Sequence, residues 1–100
     1  ISGEAALQLT ENEYFDVILL DYMMPGMDGV ETLKSIRASE TNKCKKVPII
    51  VLTANALTGA KEEYLKEGFD DYISKPVDGV LLEELLLKYC TYLFHSLLLY

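Results

Sequence analysis

Three short segments of this chain each end in a residue able to handle a small anion. Asp21 closes the apolar run Val17-Ile18-Leu19-Leu20 and leads into Tyr22-Met23-Met24-Pro25-Gly26-Met27-Asp28-Gly29. Thr53 closes Pro48-Ile49-Ile50-Val51-Leu52, with Ala54-Asn55-Ala56 after it. Lys75 follows Asp71-Tyr72-Ile73-Ser74 and precedes Pro76. Short apolar runs bounded by turn signals read as buried strands. In an open α/β sheet, ligands bind in the crevice outside the carboxyl ends of the strands. A carboxylate, a hydroxyl and an ammonium at three strand ends can therefore converge on one anion. The carboxylate would serve as nucleophile, and the ammonium would stabilise developing negative charge. Each residue alone is weak evidence. A strand-end aspartate equally caps a helix, and a strand-end lysine is equally a solvated charge. Thr53 is equally an ordinary β-branched strand residue, and Tyr72 an ordinary amphipathic strand aromatic.

The elements that must position these groups follow from periodicity. Ser2 to about Asn12 reads as a helix capped by Ser2, with Glu4 in its first turn and Ala5, Ala6 and Leu9 on one face. Asp16 to Asp21 is a strand. Asp28 and Glu31 have the spacing of an N-cap and its reciprocal partner. The helix they open carries Val30, Leu33 and Ile36 on one face and ends near Ala38. Ser39 to Val47 is a polar loop, and Pro48 to Thr53 a strand. Asn55 to Gly59 is a loop, and Ala60 to Glu67 a short helix closed by Gly68. Asp71 to Ser74 is a strand. Asp78 caps a last helix with Leu81, Leu82, Leu85 and Leu86 inside. Strands alternating with helices imply a parallel sheet with right-handed crossovers. Strand runs apolar on both faces imply helices covering both sides.

In order and spacing, the Asp21, Thr53 and Lys75 segments resemble the receiver domain of two-component response regulators. The match runs from about Ile1 to about Tyr89, and the wording around Thr53 and Lys75 is most similar to receivers of hybrid sensor histidine kinases. The resemblance implies a flavodoxin-like α/β fold, a parallel sheet with helices on both faces. It implies that Asp21 is a phosphoacceptor, charged by a histidine kinase or a histidine phosphotransfer domain. Lys75 would pair with Asp21 and then with the phosphoryl oxygens. Its bond to Pro76 would be cis, turning the chain to aim the ammonium. Thr53 and Tyr72 would be the switch pair, moving together once phosphate arrives. Met23 and Asn55 would tune how fast water removes the phosphate. A magnesium ion would use Asp21 and the Met23 backbone carbonyl. The output would be partner docking, kinase control or a homodimer. The domain would take part in the chemistry without being an enzyme.

The chain departs from that family in two places. A receiver opens with a strand ending in an acidic pair, then a helix and a second strand, and this first βαβ unit is not found here. The reading is therefore of an N-terminally truncated receiver over residues 1–90. Its magnesium site would be incomplete, and the Asp16–Asp21 strand would be an uncovered edge. Asp28, Asp70 and Asp71 do not replace the acidic pair and read as capping or solvated residues. Residues 91–100 form an apolar tail outside the family pattern, expected to extend the last helix or to be a sequence scar. His95, the only histidine, has no relay motif around it.

Composition bounds the alternatives. One hundred residues make one domain with a modest core. A formal charge of −7 argues against direct nucleic-acid binding. Cys44 and Cys90 lack metal-ligand spacing and read as reduced thiols of a cytoplasmic protein. No secretory signal is visible, and Lys88 and His95 interrupt the apolar tail, so no membrane span is expected. The absent initiator Met is read as the mark of a fragment. Two other functions stand beside the receiver reading. One is a phosphorylation-incompetent interaction module or non-functional fragment. The other is a small aspartyl-nucleophile phosphatase, disfavoured because Met23 stands where such enzymes carry a second acid.

Overall fold

The computed structural model describes residues 3–23, 28–54 and 60–89, and the backbone of 97–99. Its elements are α1 (Gly3–Asn12), β1 (Val17–Asp21), α2 (Gly29–Ala38), β2 (Ile49–Thr53), α3 (Ala60–Glu67), β3 (Asp71–Ser74), α4 (Gly79–Tyr89) and β4 (Leu97–Leu99). The Ser2 cap, the Pro25-Gly26 turn, Asn55, Cys90 and His95 lie outside the described residues.

The strands line up as β3-β2-β1-β4 and every pair is parallel. Side chains alternate across each strand, so β1 feeds two cores. Ile18 and Leu20 point to the side of α1, α2 and α3, where Ala6, Leu33, Ile36, Tyr64 and Phe69 meet Ile49 and Val51. Val17 and Leu19 point to the other side with Ile50, Leu52 and Ile73, against Leu82, Leu85, Leu86 and Tyr89 of α4. This two-faced burial is what an apolar parallel strand requires.

The predicted starts and stops hold where capping chemistry sets them. Asp28 is the N-cap of α2, its carboxylate accepting from the Glu31 N–H at 2.9 Å. Gly68 closes α3 at φ 115°, a left-handed conformation that side chains rarely adopt. At the far end of α2, the Ser39 and Thr41 hydroxyls donate to the Glu11 carboxylate at 2.6 and 2.8 Å. Nearby, the Asn42 amide donates to the buried Thr10 hydroxyl at 2.8 Å. The polar loop after α2 is thus held to α1. Cys44 is a free thiol buried in this joint, and burial pushes its pKa up, which keeps it unreactive.

Four expectations are corrected. The β1 edge is not open, because β4 pairs with it in the register Val17↔Leu97, Ile18↔Leu98 and Leu19↔Leu99. Residues 97–99 of the tail are therefore strand, not a helical extension. Leu81 is not inside: it is exposed, with Val80 and Leu87, and α4 meets the core through Leu82, Leu85, Leu86 and Tyr89.

The fourth correction concerns Asp71, read as a capping or solvated residue; Asp70, read the same way, is exposed but also makes structural bonds. Asp70 pairs with Arg37 at 3.0 Å and accepts the Ile49 N–H at 2.8 Å, tying β2 to the loop before β3. Asp71 is buried and accepts from the Tyr72 N–H (2.8 Å), the Tyr89 hydroxyl (2.9 Å) and the Lys88 ammonium (3.2 Å). It anchors the end of α4 to β3. Burial raises the Asp71 pKa, but the three donors outweigh burial and hold it below the ordinary carboxylate value. A depressed folded-state pKa contributes stability above the unfolded value of about 3.9, and that contribution is lost as pH falls through the folded value. Asp71→Asn is expected to cost about 1 to 2 kcal/mol at neutral pH. It should also flatten the loss of stability below about pH 4. Urea unfolding of both proteins across that range checks this; parallel curves would refute it.

Candidate functional site

Three strand ends meet on one rim of the sheet because the parallel register levels them. Asp21 is opposite Leu52, one residue before Thr53, and Thr53 is opposite Ser74, one residue before Lys75. Asp21 and Lys75 belong to strands separated by β2, a span of about 9–10 Å. Only a long side chain on one of them could close that gap. Lys75 does so: its ammonium lies 2.7 Å from Asp21 Oδ2, with the two side chains 41% and 25% exposed. The second carboxylate oxygen, Oδ1, accepts the Met23 N–H at 3.1 Å. The Lys75–Pro76 peptide is cis, and the Lys75 N–H donates to the Thr53 carbonyl at 2.8 Å. The sequence-derived trio is therefore one site, with Asp21 and Lys75 in direct contact and Thr53 beside Lys75 through the backbone.

The wall behind Asp21 is set by α2. The Tyr22 N–H donates to the Leu52 carbonyl at 2.9 Å, and the Gly29 N–H to the Tyr22 carbonyl at 3.0 Å. These bonds hold the turn residue Tyr22 between β2 and the start of the helix. The resulting hollow, about 300 Å³, is lined by Asp21, Tyr22, Met23, Thr53, Ala54, Tyr64 and Lys75. It is large enough for a phosphoryl group and open to solvent at Met23, which is 75% exposed.

Sequence reasoning missed two residues of this hollow. Tyr64 reaches in from α3, and its hydroxyl lies 2.8 Å from Thr53 Oγ1. The Tyr22 hydroxyl points at the Glu67 carboxylate at 3.4 Å. Burial and then Glu67 push the Tyr22 phenol up, so it stays protonated. Tyr64 is the hub of an aromatic cluster, with ring centroids 5.2 Å from Tyr22, 6.5 Å from Phe69 and 6.4 Å from Tyr72. A tyrosine on the buried face of a short helix reads as core, and no local signal separates it from a site residue. Tyr72 is half-buried, with the Lys61 ammonium 5.9 Å from its ring.

A magnesium ion on Asp21 and the Met23 carbonyl is the expectation for this rim. Magnesium takes about six oxygens and usually keeps several waters, using one or two carboxylates. Asp21 is a single carboxylate with both oxygens already hydrogen-bonded. Among the described residues no group of three or more His, Cys, Asp or Glu could hold a metal ion. β4 brings no further carboxylate beside Asp21 among the described residues, since its pairing stops at Leu19. The described donors do not by themselves fit a magnesium ion. No helix among the described residues is long and apolar enough to cross a membrane.

The sensor protein GacS of Pseudomonas syringae pv. syringae is 40% identical over 88 residues, covering 87% of this chain and 10% of that protein. The signal transduction histidine-protein kinase BarA of Escherichia coli K12 is 38% identical over 88 residues, covering 88% of this chain and 9% of that protein. The chain thus spans about a tenth of these relatives. Among solved structures, the receiver domain of sensor histidine kinase PA1611 from Pseudomonas aeruginosa PAO1 superposes with a TM-score of 0.77 at 38% identity. The match covers 91% of this chain and 73% of that one, which holds a magnesium ion in its active site cleft. The Vibrio cholerae chemotaxis protein CheY4 matches with a TM-score of 0.74 at 31% identity, over 87% and 71% of the two chains. The family model for the response regulator receiver domain matches residues 1–87, and the chain belongs to that family.

Proposed function

We propose that this chain accepts a phosphoryl group on Asp21 within a two-component phosphorelay, from a histidine kinase or a histidine phosphotransfer domain. The observation that carries the reading is the Asp21–Lys75 pair at 2.7 Å, set at the rim of a small hollow. A carboxylate oxygen of Asp21 attacks the phosphorus of the donor's phosphohistidine. The P–O bond forms as the P–N bond breaks, and the leaving imidazole nitrogen takes a proton. Lys75 shifts its charge from the carboxylate to the oxygens of the transferring group, where negative charge is spread in the transition state. The product is an acyl phosphate. Thr53 and Tyr72 then carry the change towards the surface of α3, β3 and α4, where docking or a homodimer would read it. In this role the domain is a cytoplasmic signalling module that is consumed and reset, not an enzyme with turnover. Among the described residues no group of three or more His, Cys, Asp or Glu could hold a metal ion, and this favours one rival, an interaction module that is never phosphorylated.

The deciding experiment offers the chain a phosphohistidine donor protein, in magnesium-containing buffer. Transfer of label into a form released by alkali or hydroxylamine, as acyl phosphates are, is the expected result. No transfer, with partner binding that ignores phosphate, would leave the interaction module instead.

A further inference from the structure

We propose that Tyr64 is a positioning residue for Thr53, a latch that holds its hydroxyl on α3 until a phosphoryl group competes for it. The inference rests on the phosphoacceptor reading and adds a control element to it. Thr53 is 4% exposed and Tyr64 6%, and their hydroxyls lie 2.8 Å apart. Each hydroxyl has one proton, so one of the pair donates and the other accepts. A phosphoryl oxygen only accepts. In the proposed latch Thr53 is the donor of this bond; it must then turn its proton, and its hydroxyl, away from Tyr64 to engage the group on Asp21.

Tyr64 is not free to follow. Its ring is wedged against Tyr22 at 63°, Phe69 at 88° and Tyr72 at 37°. Thr53 is β-branched and stiff at χ1, at the end of a strand paired on both sides. With Thr53 as the donor and both partners rigid, the proton has two proposed positions: pointed at Tyr64, or pointed at phosphate. The same ring packs on Tyr72, so Tyr64 is also the physical link between the two proposed switch residues.

Tyr64→Phe keeps the ring and its aromatic neighbours and deletes only the competing hydroxyl. The test is a double-mutant cycle of wild type, Tyr64→Phe, Thr53→Val and the double variant. The probe is beryllofluoride, a phosphoryl mimic, titrated in magnesium buffer and followed by amide NMR. Tyr64→Phe is expected to bind the probe about five-fold tighter, the net worth of one hydrogen bond. In the Thr53→Val background the same change is expected to have no effect. Weaker binding in Tyr64→Phe, or an equal change in both backgrounds, would overturn the latch. A purely structural role for Tyr64 would move unfolding stability, not this coupling. Failure of the phosphoacceptor reading looks different, since the wild type would then ignore the probe. In that case the Thr53 χ1 rotamer, read from three-bond couplings without probe, still decides. One rotamer in wild type and averaging in Tyr64→Phe support the latch, and the same rotamer in both refutes it.

Discussion

Asp21→Asn is expected to abolish phosphoryl uptake, and Lys75→Ala to slow it by about 10²–10³-fold. The two losses differ because the residues do different jobs. An amide oxygen is a poor nucleophile, so without the carboxylate no acyl phosphate can form. Without Lys75 the nucleophile survives, but the charge that stabilises the transferring group is gone. Neither result would come from unfolding. The pair is partly exposed, at 41% and 25%, and such ion pairs contribute about 0 to 1 kcal/mol. Both variants should therefore keep their unfolding midpoints within a few degrees of wild type while losing activity. The measurement is the rate of label transfer from a phosphohistidine donor, with thermal unfolding alongside. Labelling that survives Asp21→Asn would move the acceptor elsewhere and remove the central claim.

How much of this was readable beforehand depends on how local the signal is. Asp28 capping, the Gly68 stop and the apolar runs of β1, β2 and β3 are set by residues within one turn or one strand. Reading them correctly placed Asp21, Thr53 and Lys75 at strand ends, and a parallel register then had to bring those ends to one rim. What escaped was long-range. A short leucine run is as consistent with helix as with strand, so nothing in Leu97–Leu99 told of its partner in β1. Asp71 looks solvated until the end of α4 folds back to place Tyr89 and Lys88 on it. Leu81, Leu82, Leu85 and Leu86 share one broad arc of α4, and periodicity alone could not say that Leu81 would face out and Leu82 in. Tyr64 is the most instructive miss, because its role depends on a contact with Thr53, eleven positions away and on another element.

The fold and the site are most tightly joined at Gly29, and Gly29→Ala tests that joint. A Cβ there would sit 2.6 Å from the Asp21 carbonyl oxygen, 3.0 Å from Tyr22 Cα and 3.2 Å from the Tyr22 carbonyl oxygen. All three atoms are backbone, so no side chain can swing aside. Alanine would otherwise be favoured in a helix by about 1 kcal/mol over glycine. Overpacking a tight contact costs about 1 to 3 kcal/mol, and here the obstacle is rigid, so strain wins. Relief comes only by moving the start of α2 away from the end of β1, which carries Asp21 off Lys75. A misplacement of about 1 Å can cost about 10²-fold in rate, so activity should fall further than stability. Gly79→Ala is the matched control. It too opens a helix, but nothing lies within 4 Å of its added Cβ, so it should be neutral or stabilising by up to about 1 kcal/mol. Denaturant unfolding and label transfer on both variants separate the effects. If Gly29→Ala behaves like Gly79→Ala, the close approach of α2 to β1 does not hold the acceptor in place. If it loses rate out of proportion to stability, the glycine is there for the geometry of Asp21 rather than for the helix it begins.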